Sequence, residues 1–167
     1  IETEDPDLRQ SLARQWERTT ARRTYLTGAQ GSRRKDEAFG DDWELPPDGA
    51  YGETCAGIGS CMLAWRLLLA DGDVRYADLI ERTLYNVVAT SPSQTGRSFF
   101  YSNTLQQRTT TRPDEAPTAW HEGTASGRQP WYDVSCCPPN VARTLASLEA
   151  YMATATAGGV QIHQYAT

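Results

Sequence analysis

Between residues 52 and 90, apolar side chains recur at helical spacing in two consecutive stretches, and this pattern constrains the fold more than any other feature of the chain. In the first stretch Ile58, Met62, Trp65 and Leu69 fall on one stripe, with Cys61 and Leu68 beside it; in the second, Tyr76, Ile80, Leu84 and Val87 or Val88 do the same. "ADGD" separates the two and "SPSQTG" ends the second, as Gly and Pro commonly do. The spacing therefore predicts helices over about 52–70 and 73–90, and antiparallel helical pairs joined by long loops are the simplest architecture.

The remaining chain extends that reading. Leu8, Leu12, Trp16 and then Thr19 or Thr20 predict a helix over 5–24, with Asp5 and Pro6 as N-cap and first helical residue. Closely spaced Gly, Asp and Pro make residues 27–50 irregular, and irregular segments on a rigid scaffold often carry function. "RSFFYSNTLQQ" reads as a short strand or hairpin arm, and the Thr-, Pro- and Gly-rich residues 107–130 as a long mobile loop. Pro138 and Pro139 suit the first turn of a helix whose buried stripe would be Val141, Leu145, Leu148 and Met152. The tail "GGVQIHQYAT" alternates like a strand.

Composition excludes several functions. The formal charge of -5 offers no basic field to a phosphate backbone, with Arg33-Arg34-Lys35 the one basic cluster, so nucleic acid is not an expected partner. No apolar run approaches the roughly 20 residues that span a bilayer, so no membrane partner is expected either. The acidic start "IETEDPDLRQ" lacks a signal peptide's basic and then apolar order, which makes a cytoplasmic location the expectation, while the initial Ile suggests a piece of a longer protein.

Four cysteines in a chain of 167 residues are too sparse for a disulfide scaffold, and adjacent Cys136 and Cys137 are poor partners for one another. Cys55 and the Cys136-Cys137 pair stand at helix N-termini, where unpaired N–H groups and the macrodipole favour thiolates. Zinc takes soft sulfur and accepts a carboxylate, normally four ligands in a tetrahedron; Glu53 with Cys55 supplies an E-x-C pair and Cys136-Cys137 supplies two more. Against this, free cysteine often acts as a small hydrophobe, which suits Cys61 on the apolar stripe and would suit Cys55 taken alone, and C-C is not the usual C-x-x-C knuckle. Glu37 in "DEAFG" could be carried to the same site or be merely solvated. Glu81 beside the apolar stripe needs a partner or a ligand, and Tyr101 could present its hydroxyl or simply pack. His121 and His163 are given no role.

Taken together and in order, "YGETCAGIG", "SFFYSNTL" and "WYDVSCCPPNVAR" resemble the beta-L-arabinofuranosidases of glycoside hydrolase family 127, with "YLTGAQGS", "DEAFG" and "YADLIERTLYNVV" also in the expected places. The resemblance implies a mainly α chain that forms part of an (α/α)6 barrel with short β segments in its loops: residues 1–158 the C-terminal part of the barrel, residues 159–167 the start of a truncated β domain. It further implies one Zn2+ held by Glu53, Cys55, Cys136 and Cys137, with Cys136 also the nucleophile, Glu37 the general acid/base, and Glu81 and Tyr101 in contact with the sugar.

The expected function is thus a retaining glycosidase acting on a small arabinofuranoside-type carbohydrate, with a thiolate in place of the usual carboxylate nucleophile. A homodimer of a longer parent is one further expectation. A non-catalytic zinc module joining two helices is the competing reading, and a thiol redox protein a third that the absence of C-x-x-C argues against.

Overall fold

A computed structural model describes residues 3–106, 127–132 and 134–165. Helix α1 spans Pro6–Arg23, with the Asp5 carboxylate accepting hydrogen bonds from the Asp7 and Leu8 amides at 2.9 and 3.2 Å. Helix α2 spans Thr54–Asp71 and closes on Gly72, whose left-handed φ of 69° turns the chain and whose N–H bonds to the Leu68 carbonyl. Helix α3, Val74–Thr83, starts on the Asp73 cap and runs into a π-helical turn, Leu84–Val88. The wider turn lets Leu84, Val87 and Val88 all stay buried. Helix α4 spans Cys137–Ala146, with its prolines in the first turn.

The core forms where α1, α2, α3 and α4 meet, around Trp16, Ile58, Cys61, Leu68, Ile80 and Val141. Burying a large apolar side chain contributes roughly 1.5–3 kcal/mol, so this contact, not helix propensity, fixes α2 against α3. Ion pairs brace its rim: Arg9 with Asp71, and Arg75 with Glu17 at 2.7 Å. The loop after α1 packs onto α3 at Gly28, where a Cβ would stand 2.3 Å from the Thr83 hydroxyl and φ is +89°.

The predicted helices are present, and the stripe expected on α3, Tyr76, Ile80, Leu84 and Val87 or Val88, is buried, but the inward face of α2 is rotated from the one expected. On α2, Leu69 is 52% exposed and the buried positions are instead Ile58, Cys61, Ala64, Leu67 and Leu68. Met62, Leu63, Ala64, Trp65 and Leu67–Leu69 make α2 apolar almost all round, so periodicity alone does not select the inward face. Leu8 and Leu145 are exposed too. Met152 does not belong to α4, which ends at Ala146 and passes into a short turn of 3₁₀ helix, Leu148–Tyr151.

Strand β1, Ala153–Thr156, pairs antiparallel with β2, Gly159–Ile162. The tail strand is therefore present with a partner the sequence did not suggest. The described residues of "RSFFYSNTLQQ", 97–106, make isolated bridges rather than a strand, Phe99 with Pro92 and Gln129, and Ser102 with Glu53. Residues 107–126 of the expected long loop lie outside the described residues, as does His121. His163 hydrogen-bonds Thr154 at 2.8 Å and packs edge-on against Trp65.

Candidate active site

Three backbone segments converge beside the core. Gly52 turns the chain into α2 with φ +47°, and its carbonyl accepts from the Asn103 amide while the Thr54 N–H bonds to the Tyr101 carbonyl at 2.9 Å. This ladder fixes Glu53, at the N-cap position of α2, and Cys55 in its first turn relative to Tyr101. Helix α4 meets them head-on with Cys136 at its N-cap and Cys137 at its first residue. The prolines at 138 and 139 start that helix without leaving an N–H unpaired.

The Glu53 carboxylate oxygen and the sulfurs of Cys55, Cys136 and Cys137 all lie within 4.8 Å of one another. Cys55 and Cys137 sulfurs are 3.5 Å apart, Cys136 and Cys137 sulfurs 3.8 Å, and Cys136 Sγ lies 3.4 Å from Glu53 Oε1. A tetrahedral ion with metal–sulfur bonds of about 2.3 Å and metal–oxygen bonds of about 2.0 Å keeps sulfurs about 3.8 Å apart and a sulfur–oxygen pair about 3.5 Å apart. The donor set therefore fits zinc, and these three separations match its tetrahedron, the whole set lying within 4.8 Å. All four cysteines are free thiols.

The electrostatics agree with such a use. Burial, with the neighbouring Cys55 thiolate, pushes the Glu53 carboxyl up to about 7. A hydrogen bond from Cys137 brings Cys55 down to about 5, and Asn140 Nδ2 also donates to that sulfur at 3.1 Å. Cys137 is raised for the same reason, because it keeps the proton that it shares with Cys55, and burial pushes Cys136 up to about 11. Four acidic groups crowded out of water favour a cation among them, which would displace their protons.

Glu37 belongs to the same constellation. It sits in a short turn, Lys35–Glu37, and its Oε1 accepts a hydrogen bond from the Tyr51 hydroxyl at 2.7 Å. The Tyr101 hydroxyl lies 3.4 Å from the same oxygen and 3.6 Å from Cys136 Sγ, so one hydroxyl touches both the carboxylate and the sulfur. Glu81 is different. It lies exposed on α3 rather than in need of a buried partner, and among the described residues it forms no hydrogen bond to this cluster. Two contributors were not singled out in the sequence: Tyr51, two positions before Glu53, and Asn140, one helical turn after Cys136. Neither belongs to a spacing pattern that distinguishes it from a packing residue; their roles follow only from where the helices meet.

Residues 1–150 match the family model of the beta-L-arabinofuranosidase GH127 catalytic domain. The chain belongs to the GH127 family. It is 36% identical over 163 residues to the non-reducing end beta-L-arabinofuranosidase of Bifidobacterium longum subsp. longum, covering 96% of this chain and 24% of that protein. The crystal structure of a GH127 beta-L-arabinofuranosidase from Geobacillus stearothermophilus T6 superposes with a TM-score of 0.83 at 36% identity, over 98% of this chain and 25% of that one. A second GH127 beta-arabinofuranosidase structure gives 0.77 at 37% identity, over 90% of this chain and 21% of its own. The helices described above are thus part of the GH127 (α/α)6 barrel. The chain spans about a quarter of the length of these relatives. Among the described residues, no helix is long and apolar enough to cross a membrane.

Proposed function

We propose that the complete protein is a retaining glycoside hydrolase of beta-L-arabinofuranosidase type, with Cys136 as nucleophile, Glu37 as general acid/base and zinc held by Glu53, Cys55, Cys136 and Cys137. The observation that carries this is the convergence of one carboxylate and three sulfurs from two helix N-termini, with a second carboxylate one tyrosine hydroxyl away from Cys136. Zinc bound there would supply the positive charge that keeps sulfur deprotonated near neutral pH.

The Cys136 sulfur attacks the anomeric carbon, and a C–S bond forms as the glycosidic C–O bond breaks. Glu37 gives its proton to the departing oxygen, then as carboxylate removes a proton from a water molecule, whose oxygen attacks the same carbon and releases the sulfur. Two displacements on one carbon retain its configuration. Retaining enzymes place their two carboxyl groups about 5–5.5 Å apart, and the two Tyr101 contacts, laid end to end, allow Glu37 and Cys136 that separation. Tyr101 and Glu81 are assigned to the sugar, and the substrate is a small arabinofuranoside. A β domain following the barrel is kept in this reading, supported by the change from helix to hairpin after Met152; the division proposed at residue 158 falls inside that hairpin, which joins β1 to β2 across it.

The same four ligands also join α2 to α4, which supports the structural-zinc alternative as far as the ligands go. Glu37, which is not among them, separates the two readings. In the complete protein Glu37→Gln should lower the hydrolysis of an aryl beta-L-arabinofuranoside by about 10²–10⁴-fold; an undiminished rate would leave only the structural role.

A further inference from the structure

We infer that Tyr51 is a positioning residue for the acid/base: its hydroxyl holds Oε1 of Glu37 and thereby confines the exchangeable proton to Oε2. The inference rests on the reading of Glu37 given under Proposed function.

Glu37 is an exposed side chain on a turn in which both Asp36 (φ 61°) and Glu37 (φ 50°) adopt left-handed backbone conformations. Such conformations are disfavoured for residues with a Cβ and persist where the surroundings impose them. Here the turn is closed at its base by the Arg33 and Ala38 amides and carbonyls, paired at 3.1 and 3.0 Å. That closure fixes the backbone and leaves the carboxylate free to rotate. A glutamate on the surface has several accessible rotamers, and only some would present an oxygen toward Cys136.

Tyr51 supplies the missing restraint. Its ring is 3% exposed, packed with Phe99, Tyr101 and Tyr132 and covered on one side by the Arg34 guanidinium 5.6 Å from its centroid. The hydroxyl is therefore fixed by the aromatic cluster that also borders Cys137, and it reaches Oε1 at 2.7 Å, the shortest contact Glu37 makes among the described residues. Tyr101 approaches the same oxygen, at 3.4 Å, and among the described residues no donor faces Oε2. A protonated carboxyl has one O–H and one oxygen that can only accept. With a hydroxyl donating to Oε1, the proton belongs on Oε2, and the proton given to the leaving oxygen and later taken from water passes through that atom.

The test uses the complete protein and two aryl beta-L-arabinofuranosides, one with a good leaving group (para-nitrophenyl) and one with a poor one (para-methoxyphenyl), comparing wild type, Tyr51→Phe and Glu37→Gln. Protonation of the leaving oxygen matters most for the poor leaving group. Tyr51→Phe should therefore lower kcat/KM for the para-methoxyphenyl substrate by about tenfold to a hundredfold, the size of a misplaced catalytic group, and for the para-nitrophenyl substrate much less. The ratio of the two constants does not depend on how much of the variant is folded, so it remains readable even if Tyr51→Phe is less stable. A ratio unchanged by Tyr51→Phe but shifted by Glu37→Gln overturns the inference and leaves Glu37 as acid/base. A ratio that neither substitution shifts overturns the acid/base reading and this inference with it.

Discussion

Cys61 and the trio of Cys55, Cys136 and Cys137 are the same chemical group in two environments. Cys61 lies on the inward face of α2, 1% exposed among Ile58, Ala64 and Ile80, and burial pushes its thiol up to about 12. Its sulfur lies 4.0 Å from the Ile80 carbonyl, and the Thr83 side chain also hydrogen-bonds it without offsetting that burial. The trio stands at the N-terminal ends of α2 and α4 with a carboxylate in its midst, and there one sulfur, Cys55, is brought down to about 5. Burial alone keeps a thiol protonated, whereas among the trio Cys55, which accepts hydrogen bonds from Cys137 and Asn140, is brought down while its two neighbours hold their protons.

The strongest way to break this comparison is Cys136→Ser in the complete protein. Turnover of an aryl beta-L-arabinofuranoside should fall by more than the roughly 10²–10⁴-fold of an acid/base loss, because the proposed bond-forming atom itself is replaced. Wild-type-like kinetics would end the distinction between the two kinds of cysteine. Next in size is Cys137→Ser, which removes a proposed ligand buried between its neighbours. Competition with a chromophoric chelator should show zinc bound far more weakly than in wild type; equal affinity would remove Cys137 from the site. The binding should also depend on pH in a definite direction. Glu53 near 7 and Cys136 near 11 must lose protons to become ligands, so affinity should fall as pH drops from about 8 to 6, with proton release on binding. A pH-independent affinity would mean that these groups do not bind the ion.

Asn140→Ala should have a smaller effect, about tenfold in zinc affinity, because it removes only the donor to Cys55 Sγ. Smallest is Cys61→Ala: roughly 1 kcal/mol of stability, read from denaturant unfolding, and no change in bound metal. A loss of metal there would show that the core and the site are not separate.

Much of this was legible in the sequence because each element carried its own local signal. The Asp5 and Pro6 start of α1, the prolines opening α4 and the periodicity of α2 and α3 all lie within a few residues of the structure they specify. Glu37, Glu53, Cys55, Tyr101, Cys136 and Cys137 were legible as motifs, and the structure brings them close to one another, whereas Glu81 stays exposed on α3. The phase of α2 was not legible, since a helix apolar on nearly every side is oriented by what packs against it. Nor was the pairing of β1 with β2, or the π turn that lets α3 keep three apolar residues buried. Tyr51 and Asn140 escaped for the same reason: a tyrosine that donates to Glu37 and an asparagine that donates to Cys55 are defined by contacts between segments far apart in the chain.

X-ray absorption at the zinc edge of the complete protein tests the central claim most directly. One zinc per chain with three sulfurs at about 2.3 Å and one oxygen near 2.0 Å is the predicted shell, with a sulfur lost in Cys137→Ser. A shell of nitrogen and oxygen alone, or a protein that takes up no zinc, would contradict it.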